Sequence, residues 1–152
     1  MRITDRLKAE HGVFLRQLKA LERLQQQGAP KEQLAAVVSV IAEAEEHHSE
    51  LEGRVLYPAL AKIVGADERR LVAVSREHER LRELKAKIAG GGFAPADVAE
   101  YARAAREHFE HEIHGLFVLA EELLDDAELS RMANWNVDHT YEETGRKAPW
   151  QE

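Results

Sequence analysis

The chain has 152 residues and no cysteine, so it is long enough for one domain with its own core, and thiolate zinc sites, iron–sulfur clusters and disulfides are excluded. Its formal net charge of −7, with acidic and basic residues interspersed, leaves no basic patch and disfavours binding to nucleic acid. The N-terminus has no apolar leader, and no run approaches the roughly 18 apolar residues of a membrane span. We therefore expect a cytoplasmic protein that is not attached to a membrane.

The first two predicted helices follow from apolar residues spaced by three and four positions. The first begins at Thr4, a good N-cap, and ends at the Gly28-Ala29-Pro30 segment. The second ends at Gly65. Pro58 lies within it and lacks a backbone N–H, so we expect the helix to bend or break briefly near this residue.

Two further helices complete the pattern. Asp67 is the predicted N-cap of the third, which ends at the Gly90-Gly91-Gly92 run, and Pro95 suits the first turn of the fourth. Strand signals are absent and the loops are short, so we predict an all-α fold, an antiparallel up-down-up-down four-helix bundle. We expect this bundle to form one domain over residues 1–125. Residues 126–152 are predicted to form a short C-terminal helix and a tail that packs on the bundle or extends from it.

The second and fourth helices carry the same pattern, a histidine followed four residues later by a glutamate. It occurs as His48 and Glu52, and again as His108 and Glu112. Residues four apart lie on one face of a helix, so each pair can present an imidazole nitrogen and a carboxylate to one point. In both copies a leucine and an aromatic residue follow the histidine at the eighth and ninth positions. The repeat therefore extends beyond the pair itself.

Histidines in the other two helices fall at the same height. In an antiparallel hairpin, residues equally far from the turn lie at one level, and His11 and His48 are almost equally far from the turn near Ala29. The second and third hairpins give the same agreement. One interior layer is therefore predicted, with a contribution from every helix. Its members are His11, His48, Glu52, His78, His108 and Glu112.

A bound metal is the interpretation that we favour for this layer. A single histidine on an apolar stripe is commonly a core residue, but buried carboxylates without a compensating cation cost on the order of several kcal/mol each. Imidazole and carboxylate ligands without sulfur suit iron, manganese or zinc, and six side chains are too many for one tetrahedral zinc. Two ions are therefore indicated, with each glutamate spanning both. The alternatives are a solvated polar layer and a subunit interface.

Several polar residues beside the layer are interpreted as bystanders. Glu10 and Glu77 directly precede two of the candidate histidines. Because adjacent residues of a helix point in different directions, we expect both to be solvated surface carboxylates. His47 and His111 also flank the candidate residues, and we expect them at the boundary of the core.

Four segments carry a resemblance to a known family. They are Glu10-His11, His48-Ser49-Glu50-Leu51-Glu52 with Leu56-Tyr57-Pro58, Glu77-His78 with Leu81, and His108-Phe109-Glu110-His111-Glu112 with Leu116-Phe117. Over about residues 4–124 the chain resembles the hemerythrin-like, or HHE cation-binding, domain. That resemblance implies a four-helix bundle around a non-heme di-iron centre, bridged by carboxylates and an oxygen atom, that binds dioxygen or handles related small oxidants. It implies the six residues of the layer as ligands of two iron ions, with Glu52 and Glu112 as the bridges.

The third helix departs from the oxygen-carrying members of that family. They have a second histidine one turn after the first, and here that position is Arg82. With about six positions per iron, four histidines, two bridging carboxylates and one bridging oxygen fill about ten of about twelve. We therefore expect dioxygen, peroxide or nitric oxide to bind at an open iron position, rather than pure oxygen storage. Glu45, Tyr57 or Tyr101 could fill a gap, but we interpret them as solvated or packing residues.

Two other functional classes fit less of the pattern. A ferritin-type di-iron carboxylate enzyme needs Glu-x-x-His on two helices, and only the Glu45-Glu46-His47-His48 segment fits. A non-enzymatic iron or oxygen sensor would signal through a partner, because a ligand that binds the folded form stabilises it. The motifs contain no obvious general acid or base. Whether the protein is an enzyme, and whether it is a monomer or a homodimer, are left open by the sequence.

Overall fold

The computed structural model describes residues 1–135, which form four long bundle helices and a short fifth helix. The α-helical segments are α1 (Ile3–Gln26), α2 (Lys31–Leu51), α3 (Tyr57–Val64), α4 (Arg69–Ala89), α5 (Pro95–His111), α6 (Phe117–Leu123) and α7 (Asp126–Met132). Two π-helical turns, π1 (Glu52–Leu56) and π2 (Glu112–Leu116), join α2 to α3 and α5 to α6. Residues 1–135 contain no strand, and none of their helices is long and apolar enough to cross a membrane. The tail predicted for residues 136–152 lies outside the described residues.

The packing of the helices confirms the predicted fold class. Helix α1 packs against α2 and α5, and α4 packs against the same two helices. Each bundle helix therefore lies beside its neighbours in sequence, and the fourth returns to the first, as the up-down-up-down arrangement requires. The short helix α7 packs on α1, where Leu129 is fully buried.

Two of the predicted helix starts are wrong by one or two residues. Helix α1 begins at Ile3, and Thr4, the predicted N-cap, is already inside it and buried. The N-cap of α4 is Glu68 rather than Asp67, because the Glu68 carboxylate accepts hydrogen bonds from the backbone N–H groups of Arg70 and Leu71 at 2.7 and 3.3 Å. These amides have no partner within their own helix, so a side chain that reaches them fixes where the helix begins.

The interruption predicted near Pro58 is the π turn π1, which ends just before Tyr57. A π turn holds one more residue than an α turn, and such turns are frequent at functional sites. The second turn, π2, lies at the matching place in the fourth bundle helix, where Val118 replaces the proline. Proline is therefore not their common cause. What they share is that each begins at the glutamate of the repeated pattern, Glu52 or Glu112.

The apolar core is divided into two clusters. One contains residues on the side of α7, among them Leu7, Leu56, Leu60, Phe117 and Leu129. The other contains Phe14, Leu18, Leu21, Val38, Ile88 and Tyr101. The six histidines and glutamates predicted to form one layer lie between these clusters along every bundle helix. The bundle is thus an apolar core interrupted by one buried polar layer.

The two clusters provide a test of this core. We expect Leu18→Ala and Leu60→Ala each to lower the free energy of unfolding by about 2–5 kcal/mol, because both side chains are fully buried and their loss leaves a cavity. Urea unfolding of the metal-free protein measures the change. The control is Val40→Ala, at a position that is 65% exposed, which should change stability by less than about 0.5 kcal/mol. Equally small effects at all three positions would contradict the core assignment.

Candidate metal centre

The structure places all six predicted residues in one buried layer. Five of them are at most 4% exposed, and His78 is 9% exposed. They form two groups of four, in which one ligand atom from each residue lies within 4.8 Å of the others. The first group is His11, His48, Glu52 and Glu112, and the second is Glu52, His78, His108 and Glu112.

In the first group, the two histidines present their ring nitrogens to one another. The Nε2 atoms of His11 and His48 are 2.9 Å apart. The Nε2 atom of His48 lies 2.7 Å from Oε1 of Glu52, and that of His11 lies 3.2 Å from Oε1 of Glu112. Helices α1 and α2 supply the histidines, and the two π turns supply the glutamates.

The second group repeats this arrangement on the other side of the glutamates. The Nε2 atom of His78 lies 3.2 Å from Oε2 of Glu52, and that of His108 lies 3.0 Å from Oε1 of Glu112. The two imidazole rings meet edge to face with their centres 4.4 Å apart. Helices α4 and α5 supply these histidines. Glu52 and Glu112 belong to both groups.

Unpaired polar atoms indicate what the layer can hold. Among residues 1–135, the buried atoms Glu52 Oε1, Glu112 Oε1 and His78 Nε2 make no hydrogen bond of acceptable geometry, although histidine nitrogens lie 2.7 Å from the first and 3.0 Å from the second. Buried polar atoms are nearly always satisfied. Two nitrogens held by one metal at about 2.1 Å and a right angle lie about 3 Å apart, which is close to the separation of His11 Nε2 and His48 Nε2. The donor set and its spacing therefore fit bound metal ions.

The electrostatics of the layer favour a cation. Burial lowers the pKa of His48, but Glu52 and other carboxylates outweigh it and raise the pKa to about 10. Burial also lowers the pKa of His108, but Glu112 and other carboxylates outweigh it and raise the pKa to about 10. For Glu112, burial raises the pKa, but His108 holds it well below its usual value. The carboxylates thus stabilise positive charge, and a metal ion can supply it in place of imidazole protons.

Glu10 and Glu77 contact the candidate histidines, so their interpretation as solvated bystanders was wrong. The Nδ1 atom of His48 lies 2.6 Å from Oε2 of Glu10, and the Nδ1 atom of His108 lies 3.5 Å from Oε1 of Glu77. Each glutamate contacts the histidine of the neighbouring helix rather than the histidine that follows it in sequence. Such carboxylates commonly orient a metal-binding imidazole through its second nitrogen. Glu77 also pairs with the exposed His111, at 2.6 Å.

Tyr57 and Glu45, which we interpreted as packing or solvated, both take part in buried polar contacts. The Tyr57 hydroxyl has one proton to donate and lies within hydrogen-bond reach of both carboxylates, 3.2 Å from Oε2 of Glu52 and closer to Oε2 of Glu112. Burial, followed by these two carboxylates, raises the pKa of Tyr57 well above its usual value. Glu45 is buried and contacts Tyr101 and Lys85, but it belongs to neither group of candidate ligands.

The two sides of the layer differ in access. The ring of His11 stacks on Phe109 and Phe117, with ring centres 4.3 and 5.4 Å apart, so aromatic rings cover this histidine of the first group. On the other side a groove of about 720 Å³ reaches His78 and Tyr57. Its further lining residues include Gly53, Pro58, Ser75 and Arg82. The second group is therefore the one nearer to solvent.

Arg82 occupies the place where oxygen-carrying relatives were expected to have a further histidine. Its guanidinium is half exposed and pairs with Glu46 at 3.7 Å, so it adds no ligand to the layer. His111 and His114 are exposed and also lie outside both groups.

Comparison with known proteins agrees with this geometry. The family model of the hemerythrin HHE cation binding domain matches residues 2–146, nearly the whole chain. No curated protein and no solved structure matches the chain. A bundle with a buried histidine and glutamate layer is what binding a cation requires. The chain belongs to the hemerythrin HHE cation-binding family.

Proposed function

We propose that this protein binds two iron ions and that an open position on one of them takes dioxygen, peroxide or nitric oxide. In this proposal His11 and His48 hold one ion, His78 and His108 hold the other, and the glutamates at positions 52 and 112 bridge them. One observation carries the proposal: two groups of four candidate ligands share the same two buried carboxylates. One ion would leave one pair of imidazoles without a metal.

The donors and the family support iron as the metal. Imidazole and carboxylate without sulfur suit iron, manganese and zinc, and a set of shared carboxylates is typical of paired ions rather than a single tetrahedral zinc. Among these metals, iron is the one that the hemerythrin resemblance implies. When bound, it supplies a Lewis acid with a redox function at a position that the protein leaves open.

The protein's own contribution is to hold the ligands ready. Glu10 accepts from Nδ1 of His48, so the other nitrogen, Nε2, keeps its lone pair directed into the layer. Glu77 lies beside Nδ1 of His108 at the longer distance of 3.5 Å and makes its short contact with His111. The Tyr57 hydroxyl orients both bridging carboxylates from the groove side.

Access decides where a small ligand binds. The aromatic rings of Phe109 and Phe117 cover His11, whereas the groove leads to His78. We therefore assign the open position to the ion held by His78 and His108. The same apolar covering excludes bulk water from the first ion, which favours a stable resident metal there.

The experiment that tests the proposal is anaerobic loading with Fe(II), followed by elemental analysis and by optical spectra after dioxygen or peroxide is added separately. We expect two irons per chain and new charge-transfer absorption after each addition. Catalytic loss of peroxide would identify an enzyme, whereas a stable spectrum would identify a carrier or a sensor. Fewer than one iron per chain, or retention of zinc alone, would contradict the proposal.

Removal of a shared carboxylate should remove metal. We expect Glu52→Ala and Glu112→Ala each to lose at least one of the two irons, because each carboxylate belongs to both groups. Elemental analysis after loading and desalting measures the content. The control is His114→Ala. This imidazole is exposed, and within residues 1–135 its ion pair is with Glu110, at 3.0 Å. Equal iron content in all three variants would contradict the ligand assignment.

Removal of an orienting carboxylate should weaken binding without abolishing it. We expect Glu10→Gln to lower the affinity for the first metal by roughly 10- to 100-fold, because His48 then loses the partner of its Nδ1 atom. Competition with a chelator of known affinity measures this change. Glu107→Gln is the matched control, since that carboxylate is exposed and pairs with Arg103 at the surface. An unchanged affinity in Glu10→Gln would mean that the carboxylate does not position the ligand.

A sensor is the second candidate function, and one chain of contacts favours it. From His48 the contacts run to Glu10, then to Arg6, whose Nε atom donates to Oε1 of Glu10 at 3.0 Å. The Nη1 atom of Arg6 donates to the backbone carbonyl of Ala133 at 2.6 Å. Ala133 directly follows α7, so the position of a candidate metal ligand is linked to the C-terminal helix. A partner that contacts α7 could read whether the metal is bound.

Hydrogen exchange tests the sensor. We expect iron loading to slow amide exchange in α7, and Arg6→Met to remove this effect while iron is still bound, because the link to Ala133 is lost. Arg103→Met, at an exposed ion pair with Glu100, is the control. If exchange in α7 is the same with and without iron, the sensor is contradicted, whereas the proposed binding of small ligands is unaffected.

A further inference from the structure

A second buried polar cluster lies beside the candidate metal centre. It consists of Glu45, Lys85 and Tyr101, which are all buried. The Tyr101 hydroxyl donates to Oε1 of Glu45 at 2.8 Å, and Nζ of Lys85 lies 3.3 Å from Oε2 of the same carboxylate. Lysine is almost never fully buried unless it is paired, and a buried ion pair seldom adds stability. The burial of Lys85 therefore needs an explanation other than a contribution to folding stability.

Lys85 lines the same small cavity as the candidate ligands. This cavity has a volume of about 10 Å³. Its lining includes Glu45, Lys85, His48, His78, His108 and Phe109. The volume is about that of one water-sized sphere, and polar groups surround it, so it suits a water molecule or the free end of a small ligand. The cavity thus connects the buried ammonium with histidines of both candidate metals.

Glu45 and Lys85 differ in how much of their hydrogen-bonding capacity their contacts use. Both oxygens of Glu45 already have partners, in Tyr101 and Lys85. A lysine ammonium has three N–H donors, and Glu45 accounts for one of them. Donors therefore remain for a molecule in the cavity, and an ammonium interacts more strongly with an anion than with a neutral molecule of the same size.

We propose that Lys85 is a ligand-binding residue of the open position and that its ammonium favours small inorganic anions over neutral ligands. Its ammonium holds the end of the anion that faces the cavity, while Glu45 and Tyr101 hold the ammonium in place. This inference rests on the proposed function, since it needs a metal at His78 and His108. It adds a class of ligand and a residue that recognises it.

The test uses the full chain loaded with iron and oxidised, with sodium azide as the anionic probe and nitric oxide, bound to the reduced protein, as the neutral one. We expect Lys85→Met to raise the Kd for azide by roughly tenfold or more, because a hydrogen bond to a charged group is lost. The Kd for nitric oxide should change by less than about threefold. Optical titration measures both, and Lys87→Met, at an exposed pair with Asp97 on the same helix, is the matched control.

Glu45→Gln separates ligand binding from a merely structural role. If Lys85 only neutralises Glu45, both single variants should weaken azide binding together. If Lys85 binds the anion, Glu45→Gln should leave the Kd for azide unchanged or lower it, because the amide oxygen can still accept from the ammonium while the opposing charge is removed. Should either single variant fail to fold, the double variant Lys85→Met/Glu45→Gln removes both charges at similar volume, and its Kd for azide should rise as in Lys85→Met.

The outcomes distinguish this inference from the proposed function. A wild-type chain that binds no iron pair overturns both. An iron pair in every variant, with the Kd for azide unchanged in Lys85→Met or in the double variant, overturns the role of Lys85 alone. A parallel loss of azide and nitric oxide binding overturns it as well, since it would reflect a general change of the cavity rather than recognition of charge.

Discussion

Two carboxylates buried in the middle of an apolar bundle are the constraint on which the rest of this structure depends. Glu52 and Glu112 are both completely buried. Without compensation each would cost on the order of several kcal/mol. The surrounding side chains respond to that requirement: four imidazoles face the carboxylates, and two of them, His48 and His108, are faced from outside by Glu10 and Glu77. Charge therefore alternates outward from the layer, and the bundle can bury it only when all four helices are in one register.

Much of this arrangement was predictable because it depends on spacing. Apolar residues at intervals of three and four define the helices, and short loops make distance from a turn equivalent to height in the bundle. These two rules predicted that His11 and His78 lie at the same level of the bundle as the repeated histidine and glutamate pairs. The structure brings all six residues to one layer. The start of α4 was less predictable, because Asp67 and Glu68 can each cap it and only side-chain reach decides between them. The start of α1 was mispredicted because Thr4, a good cap by residue type, lies inside the helix, whose N-cap is Arg2.

The orienting carboxylates were missed for a different reason. Considered on one helix, Glu10 points away from His11, but across the helix interface it meets His48. The same holds for Glu77 and His108. A signal was nevertheless present, since both helices that lack the repeated pattern carry a glutamate directly before the histidine. The Glu45 and Lys85 pair had no such signal, because a contact between helices at one particular height cannot be read from either helix alone.

The two halves of the layer share Glu52 and Glu112 but differ in surroundings, and under the proposed function this difference separates a covered metal position from an accessible one. Around His11 and His48 stacked aromatic rings exclude water, and Arg6 fixes the outer carboxylate. Around His78 a groove opens, and no further histidine follows in α4 to fill the place beside it. A protein that only stored a metal would gain from closing both halves. Leaving one half open, with a buried ammonium on a small cavity beside it, is useful only if something enters there, and the charge of Lys85 makes a small anion the best complement.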